Sequence, residues 1–253
     1  MSFWRPSLTR IKLRLARRWR MLRGQRAVHL LHIGKTGGTA VKHALRRAPQ
    51  ASLTWCLHPH EVRLADIPRG EPVVFFVRDP ISRFLSGFLS RQRQGRPRYH
   101  VRWTPEEALA FQEFQRANDL AEALSADDPR HALAVRAMRG IGHVRDSYWD
   151  WFGSESYLLE RADDILLVGR QETLTADFAR LCHLLSLPAG ASLPTDEKEA
   201  HRNPAQLDRY LSPVARENLR AWYERDYEFL EVCSAHFEMS PLVARPDREP
   251  VAP

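Results

Sequence analysis

The sequence predicts an α/β fold in which a parallel sheet is flanked by helices. Two observations carry this. Apolar runs of β-forming residues, Val28–Ile33, Val73–Val77 and Asp164–Gly169, alternate with stretches of helical spacing. The runs are apolar almost throughout, as strands covered on both faces are. Val28–Ile33 leads into Gly34-Lys35-Thr36-Gly37-Gly38-Thr39, a glycine-rich turn, and then into a helix from Thr39 to Arg46. A short segment, Ser52–Leu57, leads into His58-Pro59-His60. After Val73–Val77 the chain reads Arg78-Asp79-Pro80, with Asp79 as N-cap and Pro80 in the first turn of a helix spaced by Ile81, Phe84, Leu85, Phe88 and Leu89. Thr104-Pro105-Glu106-Glu107 is a capping-box start for a helix through about Leu124. A further helix covers His131 to Met138 and stops at Gly140; the aromatic-rich residues 142–153 fit no one element, and the Trp and Tyr cluster at 148–157 reads as core, with a sugar platform as the alternative. After Asp164–Gly169, a helix runs from Thr173 to Leu187 and a final one from Leu211 to Cys233. Residues 27–240 form the predicted domain, preceded by an arm, 1–26, and followed by a tail, 241–253, whose Pro, Arg and Asp content predicts disorder.

At 253 residues, 43% hydrophobic and 27% charged, the chain has globular composition and the length to bury a full core. Its basic character is local. Residues 1–26 hold nine Arg or Lys and no acid; against a total of +7 this leaves residues 27–253 at −2. Nucleic-acid binding by the body is therefore not expected. Within the arm, Ile11, Leu15, Trp19 and Leu22 fall on one face of a helix. Such a basic amphipathic helix is either a loosely docked, solvated arm or a peripheral contact with an anionic membrane, and both readings stay open. No apolar run is long enough to span a bilayer, and arginines interrupt every candidate signal-peptide core. The expected location is the cytoplasm, on the inner face of a membrane where the arm binds. Cys56, Cys182 and Cys233 are widely spaced, so neither a disulfide scaffold nor a metal site is expected.

Function is written at two strand ends. Backbone amides of a glycine-rich turn, the start of a helix and Lys35 make a cradle for a phosphate-like anion. It is not a Walker A loop, because the first required glycine falls at His29 and the glycines follow the lysine. Arg78 ends the next apolar run, so both can face one crevice beyond the carboxyl ends of the strands.

His32-Ile33-Gly34-Lys35-Thr36-Gly37-Gly38-Thr39 resembles the 5′-phosphosulfate loop of sulfotransferases that use 3′-phosphoadenosine 5′-phosphosulfate (PAPS). The nearest form is the His-Ile-Pro-Lys-Thr-Gly-Gly-Thr loop of Golgi-type carbohydrate sulfotransferases and their bacterial relatives; Gly34 replaces the usual proline. Val77-Arg78-Asp79-Pro80-Ile81-Ser82-Arg83-Phe84-Leu85-Ser86 resembles the family's 3′-phosphate site, with Arg78 and Ser86 at the phosphate-contacting positions. The resemblance implies a P-loop-like nucleotide-binding fold and metal-free sulfuryl transfer from PAPS to a hydroxyl, on a carbohydrate or glycolipid. It implies donor binding by Gly34, Lys35, Thr36, Gly37, Gly38, Thr39, Arg78 and Ser86, with Arg202 and Asn203 in a closing loop. Lys35 would neutralise charge on the leaving oxygen. His58-Pro59-His60 is similar to the His-x-His of the 2-O-sulfotransferase branch. That makes His60 the expected base, His58 the second candidate and Glu61 the third. Spacing alone puts His58 and His60 on one side of an extended segment. His32, His43 and His131 receive no role, Arg83 is expected to face solvent or an acid, and Arg91, Arg93, Arg96 and Arg98 read as a solvated face or a steering field for an anionic glycan. The rival functions are a nucleotide-dependent kinase, which requires magnesium, and a non-catalytic nucleotide-binding protein held at a membrane.

Overall fold

The computed structural model describes residues 8–22, 24–48, 53–97, 99–187, 191–194 and 207–240. The predicted tail, 241–253, lies outside the described residues. Four strands, β1 (Arg26–Leu31), β2 (Leu53–Leu57), β3 (Val73–Val77) and β4 (Ile165–Arg170), form one sheet in the order β2-β1-β3-β4. Every neighbouring pair is parallel. All five residues of β3 are buried, which is why its sequence is a pure run of Val and Phe.

Alternate side chains of the strands feed two layers. Val28, Leu30, Val74, Phe76 and Leu167 pack on Val41, Ala44 and Leu45 of α2 (Gly38–Arg46) and on Phe178 and Leu181 of α9 (Leu174–Leu184). On the other face Leu31, Phe75, Val77 and Val168 meet α7 (Trp149–Phe152), α8 (Glu155–Glu160) and α11 (Glu224–His236). A helical lobe with its own core joins α3 (Pro80–Gln92), α4 (Pro105–Glu113), α5 (Ala117–Glu122), α6 (Arg130–Gly140) and α10 (Pro213–Trp222). The aromatics Tyr148, Trp151 and Phe152 are core, as their composition suggests.

The strand order reverses between β1 and β3. The chain leaves β1 toward β2 and returns to the opposite side of β1. Such a switch point opens a crevice at the carboxyl ends of the two strands.

Two expected helices are interrupted. The helix from Thr104 ends at Glu113, because Phe114 takes an extended conformation that buries its ring in the lobe. The last helix divides at Tyr223, whose buried hydroxyl donates to the Val144 carbonyl at 2.7 Å. Both breaks serve tertiary contacts that no local pattern announces.

The arm is helical as α1 (Leu8–Leu22). It docks by its basic side: Arg20 donates to both Glu71 oxygens at 3.1 and 3.2 Å, and Arg17 stands 3.9 Å from Glu71. Leu8, Ile11, Leu15 and Trp19 are exposed at 76%, 42%, 58% and 66%. Among the described residues no helix is long and apolar enough to cross a membrane.

Glu71 also begins a buried chain. Its Oε2 lies 2.8 Å from His29 Nε2, and His29 Nδ1 lies 2.7 Å from His58 Nε2. Burial raises Glu71, but the bonds from His29 and Arg20 outweigh it and hold the carboxyl below its usual range. His29 thus joins the Glu71 carboxylate through Nε2 to the His58 ring through Nδ1. His58 is thus a core residue, and the expectation that it shares one side with His60 is corrected. The strand ends at Leu57 and His60 sits in a turn, so strand alternation does not reach it.

Two outcomes test this account. Thr104 and Glu107 form the expected reciprocal cap at 3.2 and 3.0 Å. Thr104→Ala lowers unfolding stability by about 1 kcal/mol, read from the denaturant midpoint. Burial, with His29 adding, pushes His58 down to about 4. An unfolded histidine titrates near 6.5, so between those values the unfolded chain binds a proton that the folded chain refuses. The stability is fully present above about pH 6.5 and falls as pH drops toward about 4. Denaturant melts at about pH 7.5 and about pH 4.5 measure the loss, and His58→Gln reduces the difference.

Candidate active site

The crevice at the switch point gathers residues from four parts of the chain. The turn after β1 runs Ile33 to Gly37 and hands over to α2. Gly37 caps α2 with φ +88°, a conformation that favours glycine. Thr36 is buried and its hydroxyl donates to the Ile33 carbonyl at 3.0 Å, closing the turn. Its proton is spent on the loop, and the Ala40 and Val41 amides close the first turn of α2 on the Gly37 carbonyl at 3.0 and 3.3 Å. Gly38 packs on the His32 ring, where a Cβ would lie 2.3 Å from Cδ2. Thr39 follows in the first turn of α2. Lys35, just before Thr36, holds φ at +68°, an uncommon conformation for a residue with a side chain.

Arg78 faces this turn from the end of β3. Its Nη1 donates to the Lys35 carbonyl at 3.3 Å, and its Nε is buried with no partner among the described residues. The Arg78 backbone is fixed by Tyr148, whose hydroxyl accepts from the Arg78 amide and donates to the Arg78 carbonyl. The next residue, Asp79, caps α3 as the sequence implies, accepting from the Ser82 amide at 2.7 Å. Ser86 lies buried on α3. Arg202 and Asn203 lie outside the described residues.

The site is crowded with cations. Burial pulls the Lys35 ammonium down to about 7, with Arg93, Arg78 and Arg91 adding. Burial likewise pulls Arg78 below its ordinary value, and Arg209 pushes the same way. Arg93 and Arg209 therefore belong to the field around the crevice. Arg91 departs from the expected solvated face: it is buried and donates to Glu107 from Nε at 2.6 Å.

His60 stands at the rim of this crevice. Its Nδ1 lies 3.0 Å from the His32 carbonyl, which can only accept. The Nδ1 proton is thereby committed, and in the neutral ring Nε2 is bare. The ring packs at a tilt on His32, 3.9 Å between centroids, and meets His143 edge-on at 5.6 Å. Trp151 donates to the His60 carbonyl at 2.8 Å, which steadies the turn. Glu61 is exposed beside it. His32 in turn contacts Lys42 Nζ at 2.6 Å through Nδ1.

Sequence reasoning missed two members of this group. Of the two expected surroundings, solvent or an acid, Arg83 takes the acid: Asp226 lies 3.9 Å away. Arg83 is 2% exposed, donates to the Gly34 carbonyl at 3.2 Å and the Asp146 carbonyl at 2.7 Å, and stacks on Tyr148 at 4.7 Å. His143 lies over Gly34, where a Cβ would come within 2.8 Å of its Nδ1. Gly34 is thus the residue that admits His143. No pattern near residue 143 in the sequence marks it.

Among the described residues, no three His, Cys, Asp or Glu side chains are grouped as a metal site groups them. No curated protein matches the chain. The model of the Sulfotransferase family matches residues 23–231, a span that begins just before β1, takes in the turn at Lys35, Arg78 and His60, and ends within α11. The chain belongs to the Sulfotransferase family.

Proposed function

We propose that the protein transfers the sulfuryl group of PAPS to a hydroxyl, on a carbohydrate or glycolipid. One observation carries the donor assignment: the Lys35 turn and Arg78 meet at the β1/β3 switch point, and Arg78 presents a buried, unpartnered Nε there. Two separated cation sites suit a ligand with two phosphate ends. Crowded cations repel one another, so a polyanion relieves them and draws the Lys35 pKa back up. The acceptor class follows from the resemblance to carbohydrate sulfotransferases.

The donor supplies an activated sulfuryl group. The amides of Thr36 to Thr39 hold its 5′-phosphosulfate, and Arg78 with Ser86 holds the 3′-phosphate. His60 takes the proton of the attacking hydroxyl at Nε2 as the oxygen–sulfur bond forms. Lys35 neutralises the electron pair that returns to the phosphate oxygen as the bridging bond breaks. A sulfate ester, adenosine 3′,5′-bisphosphate and a proton leave. Burial lowers the His60 pKa, which keeps its base form available at neutral pH.

The arm adds a location. Nine cations without an acid, together with the outward face of Leu8, Ile11, Leu15 and Trp19, suit peripheral contact with the anionic inner face of a membrane.

Calorimetry with adenosine 3′,5′-bisphosphate in magnesium-free buffer tests the donor site. The wild type binds, and Arg78→Ala weakens binding by about tenfold or more. Absence of wild-type binding, or turnover of ATP that needs magnesium, overturns the reading. Transfer of labelled sulfate from PAPS to a glycan pool falls by about a hundredfold or more in Lys35→Ala and in His60→Ala; unchanged transfer in both makes the protein a non-catalytic binder. Sedimentation with phosphatidylserine vesicles tests the arm. The full chain sediments with them and not with phosphatidylcholine alone, and Leu15→Glu with Trp19→Glu abolishes the effect.

A further inference from the structure

Three unusual backbone features converge on one side chain. His143 holds φ at +65°, a conformation rare for a residue with a side chain. Its backbone lies against Gly87 inside α3, where a Cβ would come within 3.3 Å of the His143 carbonyl carbon and Cβ. Glycine inside a helix weakens it relative to alanine, so this contact is made at a cost to α3. The His143 ring then lies over Gly34, and a Cβ there would come within 2.8 Å of Nδ1. The segment is held in place from both sides, by the Gly142 amide donating to Glu107 at 3.1 Å and by Arg83 donating to Asp146 at 2.7 Å.

The ring so seated meets His60 at 5.6 Å, and Lys35 and Arg83 are close enough to perturb it. Asp146 Oδ2 stands 3.9 Å from Nδ1, which is longer than a hydrogen bond. Burial, with Lys35, His60, Arg83 and Arg91 adding, pushes the ring down to about 3. At neutral pH the imidazole is therefore uncharged, with one N–H donor and one bare nitrogen.

Resting on the sulfuryl-transfer reading above, we propose that His143 is a catalytic residue that donates an N–H hydrogen bond to the transferring sulfuryl group beside Lys35. The ring lies at the junction of Gly34 and Lys35, where the turn holds the sulfuryl end of the donor. Proton removal stays with His60, whose Nδ1 is committed and whose Nε2 is bare. His143 neither gains nor loses a proton in the step; it stabilises charge on the sulfuryl oxygens.

Two ligands separate this contact from a structural role. PAPS carries the sulfuryl group and adenosine 3′,5′-bisphosphate lacks it. Calorimetry on the full chain with each ligand, without acceptor, is expected to show that His143→Ala weakens PAPS binding by about tenfold. Its bisphosphate affinity stays within about twofold of the wild type, since no contact to the bisphosphate is lost. His143→Gln keeps a neutral N–H donor and recovers most of the PAPS affinity. Should the alanine variant fail to fold, His143→Leu keeps the ring's bulk and serves in its place. Equal weakening of both ligands, no weakening of either, or equal losses in the Gln and Ala variants overturns the proposal. A wild type that binds neither ligand overturns the transferase reading itself, and this assignment with it.

Discussion

A single buried guanidinium holds the crevice together. Arg83 reaches from α3 to the Gly34 carbonyl in the turn after β1 and to the Asp146 carbonyl in the segment that carries His143. It lies 3.9 Å from Asp226 on α11 and stacks on Tyr148. Burying such a charge is costly unless its donors are satisfied and a counter-charge is near. Here two backbone carbonyls and a buried carboxylate meet those needs. Asp226 in turn accepts from the Tyr148 amide and the Ser147 hydroxyl. Tyr148 fixes the Arg78 backbone. The sheet, the helical lobe and the last helix therefore meet at one cation, and Lys35 and Arg78 are positioned by its neighbours.

The same region concentrates positive charge. Burial depresses the Lys35 ammonium, and Arg93, Arg78 and Arg91 add to the effect. Arg91 is neutralised by Glu107, which leaves the field to its neighbours. The positive end of α2 points the same way. A rigid core beneath these cations keeps them from moving apart. Burial by Phe75, Phe152 and Phe229 supplies that rigidity on one face of the sheet.

Where α1 meets the sheet, charge is handled in the opposite way. Arg20, Glu71, His29 and His58 form a chain of polar contacts, in which Arg20 Nε alone is left without a partner among the described residues. This joins α1 to the sheet through its basic side and leaves its apolar side outward. One histidine pair in the sequence is thus divided between two tasks: His58 completes the core network and His60 stands at the crevice.

The sequence alone determined whatever depends on neighbours a few residues apart. The parallel strands, the glycine-rich turn before α2, the Asp79 and Thr104 caps and the amphipathic face of α1 are written in periods and caps of that range. The places of the Lys35 turn and of Arg78 were legible for the same reason, since each sits where an apolar run stops. Tertiary structure decided the rest. Whether His58 or His60 faces the crevice depended on His29 and His32 across the sheet. The burial of Arg83 depended on carbonyls 49 and 63 residues away. The break at Tyr223 answered to Val144. His143 became visible only through the space that Gly34 and Gly87 leave for it. Such contacts pair residues far apart in the chain, and neither periodicity nor spacing encodes which distant group will fill a given gap.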